Sequence, residues 1–149
     1  MFVVRKQIRA TPGQIFAILA DGWSYAGWVV GTSHIRAVDE GWPAPGNRIH
    51  HAVGPWPVLI RDTTTVLDIE PDRRLRMGVR IWPIGEAEVE LLLDPAPGSS
   101  SDSGTLVTMT ETPTAGPGRF LGPAGSVLLA LRNTESLSRL ALRAEHTQR

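Results

Sequence analysis

The chain has 149 residues, 42% hydrophobic and 20% charged, which suits one globular domain over 1–149 that is large enough to bury a sizeable core. Its 15 basic and 15 acidic residues cancel and are interspersed, which argues against a nucleic-acid partner. There is no cysteine, so disulfides, thiol catalysis and thiolate metal ligands are excluded.

The start, Met1-Phe2-Val3-Val4-Arg5-Lys6, lacks the apolar core of a signal peptide, and no run reaches the roughly 18 apolar residues of a membrane span. A cytoplasmic location is the expectation. Phe2 to Ala10 reads as a strand that runs into a capped helix. Thr11 is placed to cap, Pro12 falls where the first turn needs no N–H, and Gln14 stands three residues after Thr11, as in a capping box. Ile15, Phe16, Ile18 and Leu19 then form an apolar stripe as far as the Asp21-Gly22 turn, and Trp23 to Val30 reads as a second short helix.

Strands are expected at Ser33–Asp39 and Arg48–Val53, on either side of a stiff Gly41-to-Gly46 loop, and at Val58–Ile69 after the Gly54-Pro55-Trp56-Pro57 break. Beyond the Pro71-Asp72 turn, Leu75, Met77, Val79 and Ile81 alternate with Arg74, Arg76, Gly78 and Arg80. Ala87, Val89, Leu91 and Leu93 alternate with Glu86, Glu88 and Glu90. Antiparallel pairing of these two strands sets arginines opposite glutamates, as surface ion pairs that fix register. Pro95 to Gly104 reads as a mobile loop, and Thr105 to Thr112 as the last strand, ended by Pro113. A long helix is expected from Leu121 to about Glu145, its start broken or bent by Gly122, Pro123 and Gly125. Its apolar residues are Val127, Leu128, Leu131, Leu137, Leu140 and Ala141.

The strand ending at Ala10, the Thr11-Pro12-x-x-Ile15-Phe16 helix start, the Asp21 turn, and Trp28 leading into the next strand resemble the START/Bet v 1-like (SRPBCC) superfamily, in its bacterial polyketide cyclase/dehydrase-like branch. The resemblance extends to the C-terminal helix. It implies an α+β helix-grip fold: a curved antiparallel sheet of about seven strands wrapped around the long C-terminal helix, with two short helices between strands 1 and 2 and a cavity between sheet and helix.

Inward-facing polar residues narrow the site. Glu111 shares the parity of Val107 and Met109, and Asn133 lies one helical turn from Leu129 and Leu137. A buried Glu111 needs a partner, either Arg61, whose facing is ambiguous, or Arg132; otherwise it meets a ligand. His51 shares parity with Ile49 and Val53 and points inward, whereas His50 points out, so the two cannot jointly hold a metal from one face. Trp23, Trp28, Trp42, Trp56 and Trp82 lie mostly at element ends, where they plug a rim or line a pocket mouth.

No nucleophile elbow, catalytic triad or phosphate loop is present. The leading expectation is a carrier or sequestering protein for a small, largely apolar, polyketide- or lipid-like ligand. Its expected ligand-binding residues are Trp28, His51, Met77, Met109, Glu111 and Asn133, with no cofactor, no metal, and a monomeric or weakly dimeric state. An aromatase/cyclase-type enzyme using His51 with Glu111 or Tyr25 is the first alternative. A protein-interaction module presenting Trp42 and Trp56 is the second.

Overall fold

The computed structural model describes residues 1–30, 32–53, 60–81, 85–97, 104–116 and 122–146. The Trp56 and Trp82 readings, the Gly54-to-Pro57 break and most of the Pro95-to-Gly104 loop lie outside them. In chain order the elements are β1 (Phe2–Ile8), α1 (Pro12–Leu19), a 3-10 turn (Gly22–Ser24), α2 (Tyr25–Trp28), β2 (Thr32–Val38), β3 (Arg48–Val53), β4 (Ile60–Glu70), β5 (Arg74–Ile81), β6 (Gly85–Pro95), β7 (Thr105–Ala115) and α3 (Pro123–His146). The strands form one seven-stranded antiparallel sheet, ordered β1-β7-β6-β5-β4-β3-β2.

Local chemistry sets the ends of α1. Thr11 Oγ1 accepts from the Gln14 amide at 3.2 Å, and Gln14 Oε1 accepts from the Thr11 amide at 2.8 Å, closing the capping box. At the other end Asp21 caps the 3-10 turn, its carboxylate accepting from the Trp23 amide at 3.2 Å. These turns aim Tyr25 and Trp28 of α2 back into the interior, where both are buried.

Alternation in β5 and β6 places Leu75 and Met77 beside Val89 and Leu91 in the core, with Arg76 opposite Glu90 and Arg80 opposite Glu86 on the outer face. Among the described residues these facing charges close no ion pair. Arg74 turns instead to Asp68 at 2.5 Å, and Arg73 pairs with Asp94. Asp72, at φ 60°, makes the β4–β5 turn.

Two expectations are corrected. β7 does not stop at Pro113 but continues to Ala115, because β1 ends its pairing at Phe2 opposite Glu111 and the β6–β7 ladder is bulged between Glu86 and Ala87. Proline is tolerated at a bulge or beside a missing neighbour. In α3 the helix runs unbroken from Pro123 through Gly125, and only part of its apolar set is buried. Leu137, Leu140, Ala141 and Ala144 are at most 3% exposed, whereas Val127, Leu128 and Leu131 are 58%, 68% and 62% exposed. The buried face continues toward the N-terminus through polar residues, Ser136 and Asn133.

Replacement of Leu140, which is fully buried, by Ala is expected to cost about 2–5 kcal/mol in urea unfolding. Leu131→Ala is expected to change stability by less than about 0.5 kcal/mol.

Candidate functional site

Between the sheet and α3 the inward residues include a polar group set among apolar side chains. On β7, Glu111 is 3% exposed. Its two carboxylate oxygens accept separately, Oε1 from Arg132 Nη2 at 3.1 Å and Oε2 from Asn133 Nδ2 at 3.0 Å. Successive residues on α3 thus grip one carboxylate, with Arg132 as a partner; the Arg61 side chain lies outside those described. Arg132 keeps 30% of its side chain exposed, so the pair reaches from solvent to the interior.

A second polar group sits across the cavity. His51 on β3 is buried, and its Nε2 lies 3.0 Å from Thr64 Oγ1 on β4. The Tyr25 ring stacks on His51 at a centroid distance of 6.0 Å and meets Trp28 edge-on at 5.3 Å. Burial holds the His51 pKa below its ordinary 6.5, against the opposing pull of Asp62, so the imidazole is neutral near pH 7. Burial likewise raises the Tyr25 hydroxyl, outweighing the opposing pull of Thr64 and Arg132. His50 points outward as expected and bonds Asp39 at 3.1 Å.

Trp28, His51, Met77 and Met109 line one cavity with Tyr25, Val79, Val89 and Arg132. Glu111 and Asn133, expected beside them, are not among its lining residues; they lie behind Arg132, which bonds Glu111. The cavity holds about 30 Å³, roughly enough for one or two waters. Three buried polar atoms of the lining residues, Trp28 Nε1, His51 Nδ1 and Arg132 Nε, have no hydrogen-bond partner among the described residues, nor has Asn133 Oδ1 behind them. A wider groove, about 370 Å³ on the same measure, lies on the outer face of the sheet near Thr65, Gly78 and Glu88, away from these groups.

Sequence reasoning passed over Thr64 and Asp62, although counting back by twos from the core residue Val66 places both inward. Trp42 plugs, as the first reading of the tryptophans has it, and is not free for docking: it is half-buried against the core, and its indole donates to the Leu19 carbonyl at 3.2 Å. It staples its loop. Among the described residues no three His, Asp or Glu side chains gather as a metal site requires, and no helix is long and apolar enough to cross a membrane.

Residues 1–145 match the family described as polyketide cyclase/dehydrase and lipid transport. The chain belongs to this family. Members of this SRPBCC group are built around a hydrophobic ligand-binding cavity, and here the cavity falls between sheet and α3. The Zhui aromatase/cyclase of Streptomyces sp. R1128 superposes with a TM-score of 0.69 at 17% identity, covering 99% of this chain and 94% of that one. Protein MLL2253 of Mesorhizobium loti gives a TM-score of 0.70 at 17% identity, covering 97% and 96%. Ara h 8.0201 gives 0.70 at 12% identity, covering 97% of both chains. At such identities the likeness of this family member to solved structures is one of fold. No curated protein matches the chain.

Thr64→Val keeps shape but strips the hydroxyl that bonds His51 Nε2, and is expected to cost about 1–3 kcal/mol in chemical denaturation. Because the His51 pKa is lower folded than unfolded, the unfolded chain binds the extra proton first as pH falls below 6.5. Stability is therefore expected to fall on acidification through that window and to level off once the folded-state pKa is passed. His51→Gln is expected to flatten this part of a stability–pH profile.

Proposed function

We propose that this protein binds a small, largely apolar molecule between its sheet and α3, as a carrier or sequestering protein. One observation carries the reading: a wall of Met77, Val79, Val89 and Met109 contains the buried Trp28 Nε1 and His51 Nδ1, which have no partner among the described residues. Polar atoms left in such a wall are costly unless something bonds them, and a few such atoms amid apolar surface are what orient a ligand. Met77 and Met109, unbranched and with several rotatable bonds, supply walls that can shift around a guest larger than the present space.

A catalytic reading of the aromatase/cyclase type is favoured by a different observation. His51, held by Thr64, stacks against Tyr25, so a neutral imidazole and a phenol stand on one wall. A base and an acid so placed can assist enolisation and dehydration of a polyketide-like chain. Turnover of a bound polyketide mimic that is lost in His51→Gln, with binding retained, supports this reading over simple carriage.

Native mass spectrometry of protein purified from its own host, followed by denaturation and identification of any released molecule, tests the binding reading directly. A co-purifying apolar compound is the expected result. Trp28→Phe retains most of the ring but loses Nε1–H, and is expected to weaken that compound by about ten-fold in a Nile red displacement assay. Unchanged affinity removes Trp28 Nε1 from the site.

A further inference from the structure

The outer face of the sheet carries charges that the chain leaves unused. On β5, Arg76 and Arg80 flank Gly78, and on β6 the neighbouring residues are glutamates, in the register Arg76↔Glu90, Gly78↔Glu88 and Arg80↔Glu86. Among the described residues none of these arginine and glutamate side chains makes an ion pair, and Arg76 Nε is buried without a partner. Gly78 opens the groove of about 370 Å³ on this face, walled by Thr63, Thr65, Arg80, Glu86 and Glu88. A row of cations thus runs beside a row of anions, with a gap in the cation row next to the middle anion.

Such a pattern is complementary to itself. A two-fold axis that runs between β5 and β6, parallel to both, brings a second copy face to face, its β6 over β5 and its β5 over β6. Arg76 then meets Glu90 of the second copy, Arg80 meets its Glu86, and its Glu88 enters the gap over Gly78 between the two arginines. We propose that this face is a docking surface for a second copy of the chain. Charge selects the occupant: a partner has to bring anions to Arg76 and Arg80 and cations to Glu86 and Glu90 at strand spacing, and this chain brings both. The cavity, on the other face, stays free in the pair.

A strip from β4 to β7, at about 4.8 Å per strand, and along the eight residues of β5, at about 3.3 Å each, covers roughly 500 Å² per copy. That is less than the roughly 800 Å² per partner of a stable complex, so the association is weak and easily screened by salt. Sedimentation velocity of the full chain at about 20 mM and about 500 mM sodium chloride reads it. A dimer at low salt that weakens roughly ten-fold or more at high salt is the expected result. Arg76→Glu with Arg80→Glu makes the face anionic, whereas Glu86→Arg, Glu88→Arg and Glu90→Arg together make it cationic. Each variant alone is expected to be monomeric. An equimolar mixture of the two is expected to associate, because the two-fold sets each row of one over an opposite row of the other.

Gly78→Gln leaves the charges alone and serves if a charge-reversed chain fails to fold. A Cβ at this position meets only the Leu67 side chain, in ordinary contact at 3.6 Å, so the fold accommodates it while the longer side chain takes the space of the incoming Glu88. It is expected to weaken the dimer by roughly ten-fold or more. A wild type that stays monomeric at about 1 mM protein in low salt overturns the proposal. So does a dimer indifferent to salt and to Gly78→Gln, which puts the contact elsewhere, as on the exposed Val127, Leu128 and Leu131 of α3. Folded charge-reversed variants that remain apart when mixed overturn it as well.

Discussion

Glu111 lies on the inner face of β7, paired with Phe2 on one side and Val89 on the other, under a helix that shuts out water. An ionised carboxylate in such a place is destabilising by several kcal/mol unless it is matched. α3 supplies the match through two adjacent residues, which fixes both its rotation about its own axis and its position along β7. Once Arg132 and Asn133 are held there, the helical repeat delivers Ser136, Leu137, Leu140, Ala141 and Ala144 to the sheet side. Ser136 accepts from the Val30 amide at 3.1 Å, and Glu145 accepts from the Arg9 amide at 3.1 Å. The cavity exists because the helix is anchored at its middle by polar contacts and sealed toward its C-terminus by apolar ones.

Much of the fold was legible from short-range chemistry. The Thr11/Gln14 box and the alternation of β5 and β6 are local patterns, and the structure places them as the residues suggest. His51 and His50 were separable by parity alone. What escaped depends on neighbours that a single strand or helix cannot reveal. Pro113 continues a strand because β1 has ended beside it. Val127, Leu128 and Leu131 have the right residue type for a core, yet the described sheet surface does not extend over them. The partner that Trp42 staples to, the Leu19 carbonyl, is backbone and leaves no mark in composition. That Arg132 reaches Glu111 depends on where the helix docks on the sheet.

Family membership and site carry different information. Chains sharing only 12–17% identity superpose along nearly their full length, so the sheet and its helix tolerate wholesale replacement of side chains. Function has to be sought in what this chain places on the inner face, since one fold supports many sites. Here that is a neutral histidine tied to a threonine and tyrosine on one side, and a saturated carboxylate on the other. The methionines between them leave shape adjustable while charge is not, so chemical discrimination rests on few atoms and steric discrimination on many.

The sheet order has a consequence for how the chain is made. β1 leaves the ribosome before the other described elements, yet its strand partner is β7 and its helix partner is α3, which follow all the rest. For most of synthesis the N-terminal strand has nowhere native to go. Its alternation leaves Val3, Arg5 and Gln7 outward, and Arg5 and Lys6 interrupt what would otherwise be a flat apolar edge. Charges so placed discourage an early strand from pairing with a neighbouring nascent chain while its own partner is still being translated. Because β1 keeps one unpaired edge in the finished sheet, those two basic residues go on guarding it after β7 has docked.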